Sequence, residues 1–271
     1  MNVLFDVAEA DWAQVGQHVC WIVDDSSTYI SGAAALLTEG KRLGQKLVLF
    51  GPAGSVPLAE LGPVTALSAD PRAAFLGRGT FDPGALIAIL RGQSALARED
   101  GYDGLCVVAD MDCLLPERPA TEAIVAFELL LDRLVSELDD TVVCAYRHSS
   151  FDTAAITGAL SVHPVHSGRD EEPPFRLVYA GGQTWRLTGE VDLAAASTFA
   201  IVFAAIASLD EFVIDVSGLE FVDVAGMRMI GAAARSARGE LQLRGASPAL
   251  RRYWRLGGFA ESAPMVRLIR A

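Results

Sequence analysis

Several things are scarce in this 271-residue sequence, and each scarcity excludes a class. Cysteine occurs four times, as Cys20, Cys106, Cys113 and Cys144, with no C-x-x-C pair. That excludes a disulfide scaffold and leaves unbridged, buried thiols in a reducing cytoplasm as the expected state. Basic residues are outnumbered, 22 Lys+Arg against 34 Asp+Glu for a net charge of −12, which excludes a surface built to neutralise nucleic-acid phosphates. The start, Met1-Asn2-Val3-Leu4-Phe5-Asp6, has neither a basic region nor a long apolar one, so no signal peptide is expected. The uncharged stretch Leu193 to Leu209 is Ala-rich, contains Ser197, Thr198 and Ser208, and is flanked by Asp192 and Asp210. It is too short and has the wrong flanks for a membrane span. What is abundant is apolar residues, 51% against 21% charged, with Gly and Pro showing no period. The chain is globular, neither disordered nor collagen-like.

The length suits two domains. In the first part, strand-like apolar runs (His18 to Val23, Lys46 to Phe50, Val64 to Leu67, Leu105 to Ala109, Thr141 to Tyr146) alternate with helical patterns such as Ile124, Phe127, Leu131, Leu134, Val135 and Leu138. That alternation predicts an α/β fold with a mostly parallel sheet flanked by helices. The polar, Pro-bearing stretch from His163 to Pro174 breaks both periods, and the predicted division is 1–165, a linker at 166–174, and 175–271. The second part opens with a hairpin around Gly181-Gly182. It continues with a helix from Asp192, a strand Phe212 to Val216, a helix after Asp223, and short strands near Leu241 to Leu243 and Met265 to Ile269. A smaller mixed sheet with helices on one side follows.

Catalytic motifs are missing. The only Gly-Lys pair, Gly40-Lys41, has no upstream Gly, and Gly51-Pro52-Ala53-Gly54-Ser55 has no Lys, so no phosphate-cradling loop is expected. No G-x-S-x-G elbow and no Cys in a nucleophile setting occur. Asp110 and Asp112 leave the strand Leu105 to Ala109 where carboxylates can hold a cation or polarise a ligand, or simply be solvated. His18 and Cys20 share a strand face, and Cys144 and His148 sit on and beyond another strand. Zinc sites usually show short ligand pairs, so these are expected to be satisfied core residues and no metal site is predicted. His163 and His166 flank Pro164 in what reads as a turn.

Leu187-Thr188-Gly189-Glu190-Val191-Asp192, Asp215 to Met227, Leu243 to Pro248 and Leu256-Gly257-Gly258-Phe259 together resemble the STAS domain of bacterial anti-sigma factor antagonists over about 175 to 262. The resemblance implies a domain that docks an anti-sigma factor or another STAS-type signalling protein through Asp223, Val224, Ala225, Gly226, Met227 and Arg228. Regulated members carry Ser or Thr directly after the Asp, and phosphorylation there disrupts docking. Here Val224 holds that position, so the usual switch is absent. Asp223 also has a sufficient local role as the cap of the following helix.

His18-Val19-Cys20, the segment Ile30 to Gly44, Phe127-Glu128, Val143 to Arg147, Phe151 and His163-Pro164 resemble the MEDS sensory domain over about 12 to 165. This family looks like a degenerate relative of RecA-type folds, which agrees with the missing phosphate loop. The resemblance implies a bacterial sensor of an unnamed small-molecule ligand, and the candidate ligand-binding residues are His18, Cys20, Asp110, Asp112, Tyr146 and His163. The expected protein is a cytoplasmic signalling regulator, not an enzyme, with an unknown cofactor. The alternatives are a nucleotide- or metal-using first domain with the second as localiser, and a non-sensing scaffold.

Charge is unevenly placed. Residues 1–170 carry the whole excess, while 171–226 are net −7 and 227–271 net +7. Arg228, Arg235, Arg238, Arg244, Arg251, Arg252 and Arg255 form a basic set that reads either as solvated faces or as a surface for an acidic partner or for the acidic first domain.

Overall fold

The computed structural model describes residues 16–51, 56, 65–68, 81–117, 119–168, 172–207, 213–236 and 239–270. The chain forms two compact units, one of Met1–Ile156 with His163–Glu171, the other of Thr157–Val162 with Glu172–Ala271.

The first domain runs β1 (His18–Val23), α1 (Ser26–Arg42), β2 (Lys46–Gly51), β3 (Thr65–Ser68), α2 (Pro83–Glu99), β4 (Leu105–Asp110), a 3-10 turn (Met111–Glu117), α3 (Thr121–Leu138), β5 (Thr141–Arg147), the first residues of α4 (Thr153–Val162), whose remainder from Thr157 on belongs to the second unit, and β6 (Val165–Ser167). Its six strands lie in the order β3-β2-β4-β5-β1-β6, and every pairing is parallel. A parallel sheet is covered on both faces, which is why β1 and β4 read as unbroken apolar runs and are buried at every position. Alternation along β1 sends Val19, Trp21 and Val23 into one apolar cluster with Tyr29, Ala33, Leu36 and Leu37 of α1. His18 and Cys20 point to the opposite face. There α3 packs, and His18 meets its Glu128. Gly40 lets α1 lie close on the sheet: a Cβ there would sit 2.5 Å from Cys106 Cβ.

The second domain runs β7 (Phe175–Tyr179), β8 (Thr184–Val191), α5 (Ala196–Ala207), β9 (Val213–Val222), α6 (Val224–Ser236), β10 (Leu241–Arg244), α7 (Pro248–Leu256), α8 (Phe259–Ser262) and β11 (Val266–Ile269). The sheet order is β11-β10-β9-β8-β7, antiparallel only in the β7–β8 hairpin. The uncharged stretch becomes α5, whose Phe199, Val202, Phe203 and Ile206 are buried. Among the described residues no helix is long and apolar enough to cross a membrane.

The predicted linker, 166–174, begins inside the first domain. Val165, His166 and Ser167 pair with Val19, Cys20 and Trp21 of β1, and His166 and Ser167 are buried. Three residues are too few for an alternating pattern to show. Pro164 stands just ahead of this edge strand, where its missing N–H breaks no central ladder. At Gly168 the backbone turns back at φ +92, so close to Ile22 that a Cβ would sit 1.9 Å from its carbonyl oxygen.

Candidate functional site

Three arrangements carry the polar and surface chemistry. The first lies under α3. This helix presents Glu128 and Asp132, one turn apart, from the same buried face as Ile124, Leu131 and Val135. Glu128 is fully buried and receives four groups. His18 Nε2 lies 3.2 Å from its Oε2, Cys144 Sγ 3.4 Å and His163 Nε2 3.5 Å, while the Tyr146 hydroxyl donates to Oε1. The His18 and His163 rings stack at 3.9 Å between centroids. On its other side His18 Nδ1 faces Asp132 Oδ1 at 3.4 Å.

Burial alone would lower the pKa of His18, but hydrogen bonds to Asp132 and Glu128, with their charges, raise it from 6.5 to about 9. Burial opposes ionisation of Glu128 too. The charge of His163 and the hydrogen bond from His18 nonetheless hold its carboxyl below the usual carboxylate range. Burial and the Glu128 charge push the Cys144 thiol and the Tyr146 hydroxyl well up, so both keep their protons. One imidazole nitrogen from each His, a Glu128 oxygen and Cys144 Sγ lie within 4.8 Å of one another, a donor set able to hold a metal ion.

The second arrangement closes the carboxyl ends of β4 and β5. Arg147 grips Asp110 with two parallel bonds of 2.9 and 3.0 Å and also bonds Asp112, which accepts from Ser150 Oγ at 2.9 Å. Its guanidinium lies 5.0 Å from the Tyr29 ring centroid. A single Arg bonds both acids, so Asp110 and Asp112 form an ion-pair network rather than an open cation site. Asp112 Oδ1, Arg147 Nε and Tyr29 Oη are buried and, among the described residues, have no hydrogen-bond partner. At the amino end of α1, where a nucleotide-binding fold would seat a phosphate, the Asp25 carboxylate already accepts from the Thr28 amide at 2.8 Å and from Ser27 Oγ at 2.7 Å.

Of the six candidate ligand residues, the structure therefore brings His18, Tyr146 and His163 together around Glu128, and Asp110 and Asp112 together around Arg147. Cys20 is buried in β1, opposite Cys144 in the pairing register. His148 is exposed and belongs to neither group. Glu128, Asp132 and Arg147 are the residues that sequence reading left unassigned. The signal for the two acids was their spacing, which puts them on the apolar stripe of α3.

The third arrangement is the start of α6. Asp223 caps it, accepting from the Gly226 amide at 2.8 Å, and its own amide donates to the Val191 carbonyl at 2.9 Å. Val224 projects from the first turn with 54% of its surface exposed, and Arg228 is exposed one turn on. Gly226 and Met227 are buried, against the expectation that all six residues from Asp223 to Arg228 touch a partner. A Cβ at Gly226 would meet Val222 Cγ2 at 2.7 Å and Val191 Cγ1 at 2.8 Å, so its role is close packing. Beside the helix a groove of about 780 Å³ is lined by Val224, Arg228, Met229, Arg235, Phe259 and Ala263. Arg238 lies outside the described residues.

Comparison with known proteins finds one family in the first part of the chain and another in the second. The family described as MEthanogen/methylotroph, DcmR Sensory domain (MEDS) matches residues 17–164, and the Mlab STAS domain family matches residues 181–269. No curated protein matches the chain. A solved structure, the Bacillus cell fate determinant SpoIIAA in its phosphorylated form, is similar at 19% identity with a TM-score of 0.28, over 35% of this chain and 89% of that one. The first match takes in more than half of the sequence, and the chain belongs to the MEDS family, its sensory domain followed by a STAS domain.

Proposed function

We propose that the chain is a cytoplasmic, non-catalytic signalling regulator. The MEDS domain senses a small polar ligand, and the STAS domain docks an anti-sigma factor through the amino end of α6. The observation that carries this reading is the exposed Val224 on the Asp223-capped turn, at the place where a phospho-acceptor would stand. An apolar group at a helix start favours contact with another surface and cannot take a phosphate. The groove beside it pairs an apolar floor, Met229, Phe259 and Ala263, with the cations Arg228 and Arg235, which suits an acidic partner. Control by ligand then replaces control by phosphorylation. It operates only if the ligand binds one state of the protein more tightly than another.

The carboxyl edge of the first sheet supports the sensing half of the reading. Ligands of open α/β folds bind outside the carboxyl ends of the strands, and there the unpartnered Tyr29 Oη, Asp112 Oδ1 and Arg147 Nε offer hydrogen bonds to a polar molecule. Asp25 at the end of α1 disfavours a nucleotide phosphate, so no ATP binding is expected in calorimetry.

The test is titration of the full chain into a purified anti-sigma factor. Val224→Asp is expected to weaken binding at least tenfold while leaving circular dichroism unchanged. Equal affinity of the wild type and the folded variant would overturn the docking surface.

A further inference from the structure

We propose that the buried cluster of His18, Glu128, Cys144 and His163 binds one four-coordinate divalent transition metal of the zinc type. This site is built from first-domain residues and does not depend on the reading of α6 as a docking surface.

Four of the six ligand–ligand separations are close to those of a tetrahedral shell, and the other two lie within 4.8 Å. Ligands held at about 2.0 to 2.3 Å from a tetrahedral centre stand about 3.3 to 3.8 Å from one another. Around Glu128 Oε2 the separations are 3.2 Å to His18 Nε2, 3.4 Å to Cys144 Sγ and 3.5 Å to His163 Nε2, and Cys144 Sγ to His18 Nε2 is 3.8 Å. Two imidazoles, a thiolate and a carboxylate make a borderline-soft donor set, which selects zinc, cobalt or similar ions over calcium and magnesium. All four residues are buried, and four protein ligands fill a tetrahedral shell. The site thus has no open position for substrate and is structural or regulatory rather than catalytic.

The surroundings match those of a built metal site. Metal-bound His residues usually give their second nitrogen to a carboxylate, which fixes the ring. Here Asp132 Oδ1 faces Nδ1 of His18 at 3.4 Å while Nε2 faces the cluster. The Tyr146 hydroxyl holds Oε1 of Glu128 and leaves Oε2 to face the imidazoles and the thiol. The four ligands come from β1, α3, β5 and the residue that ends α4, so one ion would tie four elements together. Uptake breaks the Cys144 S–H bond, forms the sulfur–metal bond and passes the proton to solvent. The protons on Nε2 of His18 and of His163, the charged imidazoles beside Glu128, leave in the same way. One dication thus replaces three protons, and affinity falls as pH falls.

The test uses the full chain, stripped with a chelator and offered Co(II), both as the native protein and during refolding from denaturant. The expected result is one equivalent of cobalt with the intense visible bands of a tetrahedral site and a near-ultraviolet thiolate charge-transfer band, both displaced by zinc. X-ray absorption of the zinc form is expected to show one sulfur and three nitrogen or oxygen neighbours, and this readout needs no variant. Asp132→Asn, a positioning change, is expected to lower affinity by about 10- to 100-fold with the charge-transfer band kept. Cys144→Ser should abolish that band, and Cys20→Ser should keep it. No stoichiometric uptake by either preparation would mean that the cluster is a hydrogen-bonded network only, and would overturn the proposal. So would a shell without sulfur, or a band that survives Cys144→Ser.

Discussion

Among the described residues, the first domain buries His18, Asp110, Glu128, Asp132, Asp140, His163 and His166, whereas the second buries no charged side chain. The second leaves Leu193, Phe221, Val224, Tyr253, Leu256, Met265 and Ile269 exposed, against Ile30, Leu96 and Tyr102 in the first. Buried charge costs free energy unless it is paired, so each acid of the first domain comes with its partner: His18 for Glu128 and Asp132, Arg147 for Asp110, Arg98 for Asp140. Exposed apolar groups need no partner within the fold, and Phe221 and Tyr253 line one surface hollow while Val224 lines the groove beside α6. The contrast separates a domain that holds its charged groups inside, each with a partner, from one that buries none; in the proposed function the first senses and the second docks.

The comparison is broken most severely at Glu128. Glu128→Gln leaves His18, Cys144, His163 and Tyr146 around a neutral amide and should cost about 3 to 5 kcal/mol in urea unfolding of the full chain. The same interaction sets the pH profile of the metal-free chain. The raised pKa of His18 contributes stability in full below 6.5, and that contribution is lost as pH climbs through about 9. The depressed pKa of Glu128 works the other way, contributing above 4.5 and failing as pH falls below it. The unfolding midpoint should therefore be highest between pH 4.5 and 6.5 and decline on both sides. A midpoint that keeps rising from pH 6.5 to 9 would contradict the ion pair.

Arg147→Met strips the acids at the strand ends. It should cost about 2 to 3 kcal/mol, less than the change at Glu128 because Asp112 keeps contact with solvent. In the second domain Gly226→Ala should cost about 1 to 2 kcal/mol by overpacking against Val191 and Val222, read as a lower denaturation midpoint. Val224→Asp should move stability by no more than about 0.5 kcal/mol, since the side chain is exposed and a carboxylate suits a helix start. A large loss of stability there would mean that Val224 belongs to the core.

Strand and helix positions were largely legible because apolar periodicity carries them. β1 and β7 fall where the runs His18 to Val23 and Phe175 to Tyr179 place them. The cap on α6 was legible as well, since Asp223 bonds locally. What sequence could not show was convergence. His18, Glu128, Cys144 and His163 are brought together by parallel pairing and by the packing of α3, so no short spacing marks them. For the same reason Arg147 could not be read as the partner of Asp110, 37 residues away. β6 escaped notice because three residues show no period.

The most direct test of the outward half is amide hydrogen exchange on the full chain, alone and saturated with the anti-sigma factor. New protection is expected at the start of α6, Val224 to Arg235, and along α8, where the groove lies, with β7 at the far edge of the second sheet unchanged. Protection confined to β7, with the first turn of α6 exchanging as fast as in the lone chain, would contradict it.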